Sequence, residues 1–197
     1  MKCNSLEDIR QESKVEFLPI LSQECEEVLI DLIKKIKPTS ILEIGTCVGY
    51  SSTIMLLNSN ATIDTIEIDE ERLEKAKALW ENYKLQDRVN YYLGDVDKIL
   101  DKVIENKTYD LIFIDGPKSR YLDHFIKTQK AMHKNTIVLC DDVLFFGLVK
   151  GEEKVAHKHR TIVRHLREFL SFIEERDDLN VEILDKGNGI AIIRKIW

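Results

Sequence analysis

Three carboxylates and one lysine draw attention because of where they fall. Asp115 follows the apolar run LIFI, and the pair Asp141-Asp142 follows TIVLC. Charge placed at the end of a buried strand is costly unless something offsets it. If the two strands are neighbours, the three acids converge and a divalent cation would relieve their repulsion. Mg²⁺ suits such a site, because it takes few carboxylates and keeps positions for water or substrate oxygens. A blander reading stays open, with Asp142 capping or solvating a loop while Asp141 accepts backbone N–H groups. Lys118, three residues after Asp115, is a candidate base or electrostatic partner, since a lysine pKa falls readily on desolvation. It could equally be a surface lysine.

A second constellation is EIGTCVGYSS, residues 43–52. A glycine turn between strand and helix lets backbone amides approach a ligand, and the helix N-terminus favours an anionic group. Only Gly45 and Gly49 are present, so this is not the GxGxxG dinucleotide fingerprint. Glu67 ends the next apolar run about twenty residues on, where an acid can hold both hydroxyls of a ribose. Turn and acid together point to a nucleoside-bearing cofactor; a purely structural turn is the alternative. A third stretch, residues 150–169, crowds Lys154, Lys158, Arg160, Arg164 and Arg167 at the start of a helix. Phosphate neutralisation is one reading. A solvated face is the other, because Val163, Leu166, Phe169 and Leu170 already supply a core stripe.

The elements that must carry these residues alternate. Ser22 caps a helix through ECEEVLIDLIKKI, and Pro38 lies beyond its end. Strands are expected at 41–45, 62–68, 88–94, 109–115 and 136–140. Helices are expected from about Tyr50, over 70–84, near 96–105 and over about 119–133. A long helix at about 156–176 follows the 145–150 loop. Strands 180–184 and 189–196, joined by Asp185-Lys186-Gly187-Asn188, read as a terminal hairpin. Such alternation means parallel βαβ units with helices on both sheet faces, hence an α/β fold in one domain over 1–197. Ligands of open parallel sheets bind beyond the carboxyl ends of the strands, and strands one to five each end in an acid there.

At 197 residues, with 44% hydrophobic and 32% charged content, the chain is long enough for a substantial core and ordinary for a soluble globular protein. No run reaches the roughly 18 apolar residues of a membrane span. The polar, acidic N-terminus does not resemble a secretory signal. The four cysteines (Cys3, Cys25, Cys47, Cys140) lack metal-type spacing, so free thiols and a cytoplasmic location are expected. The net charge of −6 argues mildly against nucleic acid. From Pro117 to Arg167, however, eleven Lys and Arg face five Asp and Glu, and all five histidines fall there.

Taken in order, E-x-G-x-x-x-G-Y-S, the ribose acid, the Gly94-Asp95 step, D-x-x-K and the late D-D-V resemble a known family. It is the cation-dependent, S-adenosylmethionine-using O-methyltransferases of catechol and caffeoyl-CoA type, and the likeness runs from about Pro19 to Ile196. The resemblance implies a Rossmann-like class I methyltransferase fold, with a mostly parallel seven-stranded sheet and a C-terminal antiparallel hairpin. It implies that Glu43, Gly45 and Ser51 line the methionine end of the cofactor, that Glu67 holds the ribose, and that Asp95 and Val96 flank the adenine. Leu21 would make an N-terminal cofactor contact. Asp115, on the cofactor side as well, would join Asp141 and Asp142 in holding Mg²⁺ or another divalent cation, and Lys118 would be the base. Many members have Asn where this chain has Asp142. PILSQECEEVL, IGTCVGYS, DDVLFFGLV, HKHR and GNGIAI are most similar to the branch that methylates 5-hydroxyuridine at the tRNA wobble position. A tRNA anticodon loop, gripped by Lys150, Lys154, Lys158, Arg160 and Arg164, is therefore the expected partner, and a homodimer is implied by analogy. The alternative acceptor is a small catechol or caffeoyl-CoA-type phenol; a non-catalytic cofactor-binding module is a third reading.

Overall fold

The computed structural model describes residues 5–16, 18–151 and 155–196. Seven helices and seven strands are formed among the described residues. The helices are α1 (Leu6–Glu16), α2 (Gln23–Ile36), α3 (Tyr50–Leu57), α4 (Glu70–Asn82), α5 (Val96–Val103), α6 (Tyr121–Thr128) and α7 (Arg160–Glu174). The strands are β1 (Ser40–Ile44), β2 (Thr62–Glu67), β3 (Val89–Leu93), β4 (Tyr109–Ile114), β5 (Met132–Cys140), β6 (Leu179–Leu184) and β7 (Ile190–Lys195). They form a seven-stranded sheet in the order β3-β2-β1-β4-β5-β7-β6. This is the expected fold class, mostly parallel with an antiparallel C-terminal hairpin. No described helix is long and apolar enough to cross a membrane. The chain falls into two compact units, Met1–Ile99 and Leu100–Trp197.

In the first unit, β1, β2 and β3 pair in parallel, with Ile41 opposite Ile63 and Ile63 opposite Val89. Ser22 caps α2 as the sequence predicts, its hydroxyl accepting from the Cys25 amide at 3.1 Å. Lys37, in the left-handed region at φ 50°, closes the same helix just before Pro38. Asp69 caps α4 through the Arg72 amide at 3.0 Å. Trp80, Ile33, Ile41 and Met55 are almost fully buried in this unit's core.

In the second unit, β4 and β5 pair in parallel, and β7 runs antiparallel between β5 and β6. The helix expected to run to about residue 133 ends at Thr128. A 3₁₀ turn follows, and β5 already begins at Met132. Pairing passes from Tyr109–Met132 directly to Leu111–Ile137, so residues 133–136 bulge out of register. Thr136 stitches the bulge, donating its hydroxyl to the Tyr109 carbonyl at 2.7 Å and accepting the His133 amide at 2.8 Å. Polar bulge residues without alternating burial hide a strand from a periodicity argument.

Candidate functional site

In the first unit the turn after β1 is built from residues that tolerate an unusual backbone. Gly45, Cys47 and Gly49 have φ of 99°, 49° and 79°. A Cβ on Gly49 would lie 2.8 Å from the Ala76 Cβ, so glycine is required there for space as well as for φ. The Gly45 and Thr46 amides both donate to the Ile66 carbonyl at 3.1 Å. Glu67, nearly buried, accepts from the Cys47 amide at 2.7 Å and from the Ile68 and Asp69 amides at 2.9 Å each. Three backbone donors hold this carboxylate in one orientation.

Glu43 is fully buried beneath the turn. Its carboxylate accepts from the Ser51 hydroxyl and, at 2.5 Å, from the Thr65 hydroxyl. Thr46 and Thr65 share a further hydrogen bond of 2.6 Å. Glu43 thus holds the shape of the turn, with Thr65 and Thr46 as partners that sequence reading overlooks. The signal was a threonine in the middle of a buried strand, where a hydroxyl needs a partner. Asp95 accepts from the Asp97 amide at 3.1 Å and pairs with Lys98 at 3.5 Å, so it shapes the start of α5; Val96 is buried. Leu21 is buried just ahead of α2.

In the second unit the three predicted acids do converge. Asp115, Asp141 and Asp142 each offer an oxygen within 4.8 Å of the others. The Lys118 ammonium joins them, 2.6 Å from Asp115, 3.2 Å from Asp142 and 3.0 Å from the Tyr121 phenol oxygen. Tyr121 in turn donates to the Asp141 carbonyl at 2.8 Å. Asp142 sits at φ 58°, a conformation that Asp and Asn tolerate better than other non-glycine residues, so an Asn could occupy the same backbone.

Burial, with repulsion from Asp115 and Asp142, pushes the Asp141 carboxyl up to about 7. Burial also raises Asp115, although Lys118 opposes it. The expectation of a lysine with a lowered pKa is not met. Burial does disfavour its charge, but Asp115, Tyr121 and Asp142 outweigh that and hold Lys118 well above the ordinary lysine value. Three carboxylates against one ammonium leave the cluster short of positive charge when all are ionised. Hard oxygen donors with such a deficit fit a divalent cation.

The loop leaving Asp142 is held from the other end of the chain. The Val143 amide donates to the Gly189 carbonyl at 2.9 Å, and the Leu144 and Phe145 amides donate to Asn188 at 2.8 and 3.1 Å. Phe145 and Phe146 both take positive φ, 43° and 56°, and Phe146 is 70% exposed. The basic residues divide. Lys150 pairs with Asp185 at 3.5 Å, Arg164 with Glu168 at 3.7 Å, and Arg160 donates to the Val155 carbonyl. These three and Lys158 are exposed. Arg167 is spent on the Val149, Leu148 and Gly151 carbonyls at 2.8–3.2 Å. Lys154 lies outside the described residues.

The chain matches the O-methyltransferase family over residues 2–196 and belongs to it. Among its relatives, caffeoyl-CoA O-methyltransferase 2 of Petunia hybrida is 29% identical over 178 residues, covering 84% of this chain and 72% of that protein. The O-methyltransferase of Bacillus cereus, solved with S-adenosylhomocysteine, superposes with a TM-score of 0.83 at 25% identity, covering 96% of this chain and 90% of that one. A Staphylococcus aureus protein provisionally assigned as a caffeoyl-CoA O-methyltransferase gives a TM-score of 0.90 at 26% identity, covering 98% and 92%. The class is that of the S-adenosylmethionine-dependent O-methyltransferases. Within it, this chain is similar to plant caffeoyl-CoA O-methyltransferases.

Proposed function

We propose that the protein transfers the methyl group of S-adenosylmethionine to an aromatic or heteroaromatic hydroxyl whose neighbouring carbon bears a second oxygen. The observation that carries this reading is the cluster of Asp115, Asp141 and Asp142 with its deficit of positive charge. A divalent cation held by these three acids would supply Lewis acidity, lowering the pKa of an acceptor hydroxyl. Glu67 would hold the cofactor ribose, and the turn that begins at Gly45 would line its methionine end. Lys118, three hydrogen-bonding contacts deep in the cluster, fixes Asp115 and Asp142 and stands where it can stabilise or take up acceptor charge once its carboxylates are engaged elsewhere. Methyl transfer from a sulfonium is an in-line displacement, so orientation of the acceptor oxygen is most of the catalytic task.

The relatives' names favour a small phenolic acceptor of catechol type. A second reading, 5-hydroxyuridine at the tRNA wobble position, draws on one observation: Lys158, Arg160 and Arg164 are exposed at the start of α7, whose first turn carries no acid. Cations there oppose the helix dipole, an arrangement more easily understood beside an anionic partner. O5 and O4 of the modified base offer the same vicinal oxygens as a catechol. Purified protein incubated with Mg²⁺ and labelled S-adenosylmethionine, with a simple catechol in one tube and tRNA lacking wobble methylation in another, decides the acceptor. Label lost on adding EDTA supports the metal reading, whereas EDTA-resistant transfer overturns it.

A further inference from the structure

α1 is attached to the first unit in an unusual way. Of its eleven residues only Ile9 is buried. Val15 is 78% exposed, and between α1 and α4 lies a cavity of about 430 Å³ where Ile9, Leu18, Val48, Ala78 and Leu79 share the lining with charged side chains of both helices. Apolar packing therefore contributes little to docking this helix. Polar contacts do most of it. The Leu6 amide donates to the Tyr83 phenol oxygen at 3.1 Å, and Glu16 meets Lys75 at 3.3 Å between half-exposed side chains, a pair worth little in water.

A third contact is of a different quality. The Arg10 guanidinium donates through Nε to the Tyr50 phenol oxygen at 3.1 Å and through Nη2 to the same oxygen. The same Nη2 also reaches the Glu26 carboxylate of α2. Tyr50 completes the triangle by donating to Glu26 at 2.8 Å, with the guanidinium 5.5 Å from its ring centroid. Tyr50 is no ordinary anchor. It is the first residue of α3, directly after the positive-φ Gly49 and directly before Ser51, which is bonded to Glu43. Whatever fixes Tyr50 fixes the exit of the 45–49 turn.

We propose that Arg10 is a positioning residue for the cofactor turn, acting through Tyr50 and Glu26, so that docking of α1 and occupancy of the turn favour one another. The proposal rests on the reading above that this turn binds S-adenosylmethionine. Its logic is thermodynamic. Cys47, a non-glycine residue at φ 49° between Gly45 and Gly49, holds that conformation only while its surroundings enforce it. If docked α1 raises cofactor affinity by some factor, bound cofactor must raise α1 docking by the same factor. A lysine at position 10 replaces the arginine only in part, because its shorter side chain carries one nitrogen and loses the Nε–H bond to the Tyr50 oxygen.

The test measures S-adenosylhomocysteine binding by calorimetry, and hydrogen exchange of the residue 6–16 amides with and without that ligand. Wild type, Arg10→Ala, Arg10→Lys and Tyr50→Phe are compared; Tyr50→Phe keeps the buried ring and removes only the latch oxygen. The expected result is a loss of affinity of about tenfold in Arg10→Ala, toward the low end of ordinary coupling between sites. Arg10→Lys and Tyr50→Phe should weaken binding in the same sense. Ligand should slow exchange across α1 in wild type and have much less effect in Arg10→Ala. A helix that merely contributes to overall stability would lower the unfolding midpoint without moving either ligand-dependent readout. Equal affinity in wild type and Arg10→Ala, or α1 exchange indifferent to ligand in wild type, overturns the proposal. Wild type that binds no S-adenosylhomocysteine at all overturns instead the cofactor reading on which it stands.

Discussion

Gly147 and Gly189 both hold positive φ, 76° and 90°, but their surroundings differ completely. A Cβ on Gly147 would meet nothing within 4 Å. On Gly189 it would lie 2.3 Å from Leu144 Cγ, 2.6 Å from its Cβ and 2.8 Å from its Cδ1. Leu144 is buried and belongs to the loop that leaves Asp142. For Gly147→Ala the left-handed backbone costs roughly 1 kcal/mol. For an alanine at positive φ this exceeds the gain of about 0.4–1 kcal/mol from the stiffer unfolded chain, so a modest loss of stability is expected. Gly189→Ala carries the same backbone balance plus displacement of Leu144, an overpacking that costs about 1–3 kcal/mol. It also strains the three hydrogen bonds from residues 143–145 to Asn188 and Gly189. The expected difference between the variants is therefore at least about 1–3 kcal/mol, read from urea unfolding with unchanged slope. Because the displaced loop begins at Asp142, Gly189→Ala should also reduce the rise in unfolding midpoint on adding Mg²⁺. Equal destabilisation by the two alanines would refute the steric argument and with it the claim that the β6–β7 turn holds this loop in place.

Three further outcomes are expected. Asp141→Asn keeps the shape of the side chain and should abolish both turnover and the stabilisation by Mg²⁺, which for a ligand at a hundred times its Kd is about 2.7 kcal/mol, while S-adenosylhomocysteine affinity is nearly retained; calorimetry and thermal unfolding read both. Arg88→Ala removes the donor to the Leu56, Ser59 and Ala61 carbonyls, at 2.7–3.1 Å, and should lower stability by about 2–3 kcal/mol in guanidinium unfolding. Lys158→Ala should leave stability within about 0.5 kcal/mol of wild type, whereas Arg167→Ala frees the 148–151 loop and should lower it measurably. If tRNA is the acceptor, Lys158→Ala also reduces the salt dependence of binding by about one ion; an unchanged slope takes Lys158 out of the interface.

The sequence made the elements with apolar cores legible, because ILEI, LIFI and TIVL fill a sheet buried on both faces and leave few alternatives for their placement. The convergence of Asp115 with Asp141 and Asp142 was legible for the same reason: each acid ends one of two strands, β4 and β5, that proved to be neighbours. What stayed hidden depended on polar contacts, which have no period. α1 buries one side chain and is docked by Arg10, so no apolar stripe announces it. The 133–136 bulge is stitched by Thr136, and its exposed residues interrupt the strand signal. Composition placed Arg167 with the other cations of the basic stretch, yet its guanidinium serves three backbone carbonyls. Lys118 shows the same limit in its charge. Burial alone favours the neutral amine, and only the distances to Asp115 and Asp142 reveal that attraction outweighs desolvation. On the proposed reading, a lysine that starts protonated would become a proton acceptor only once those carboxylates turned to a stronger cation. Its basicity and the filling of the acidic cluster would then be one property of the site.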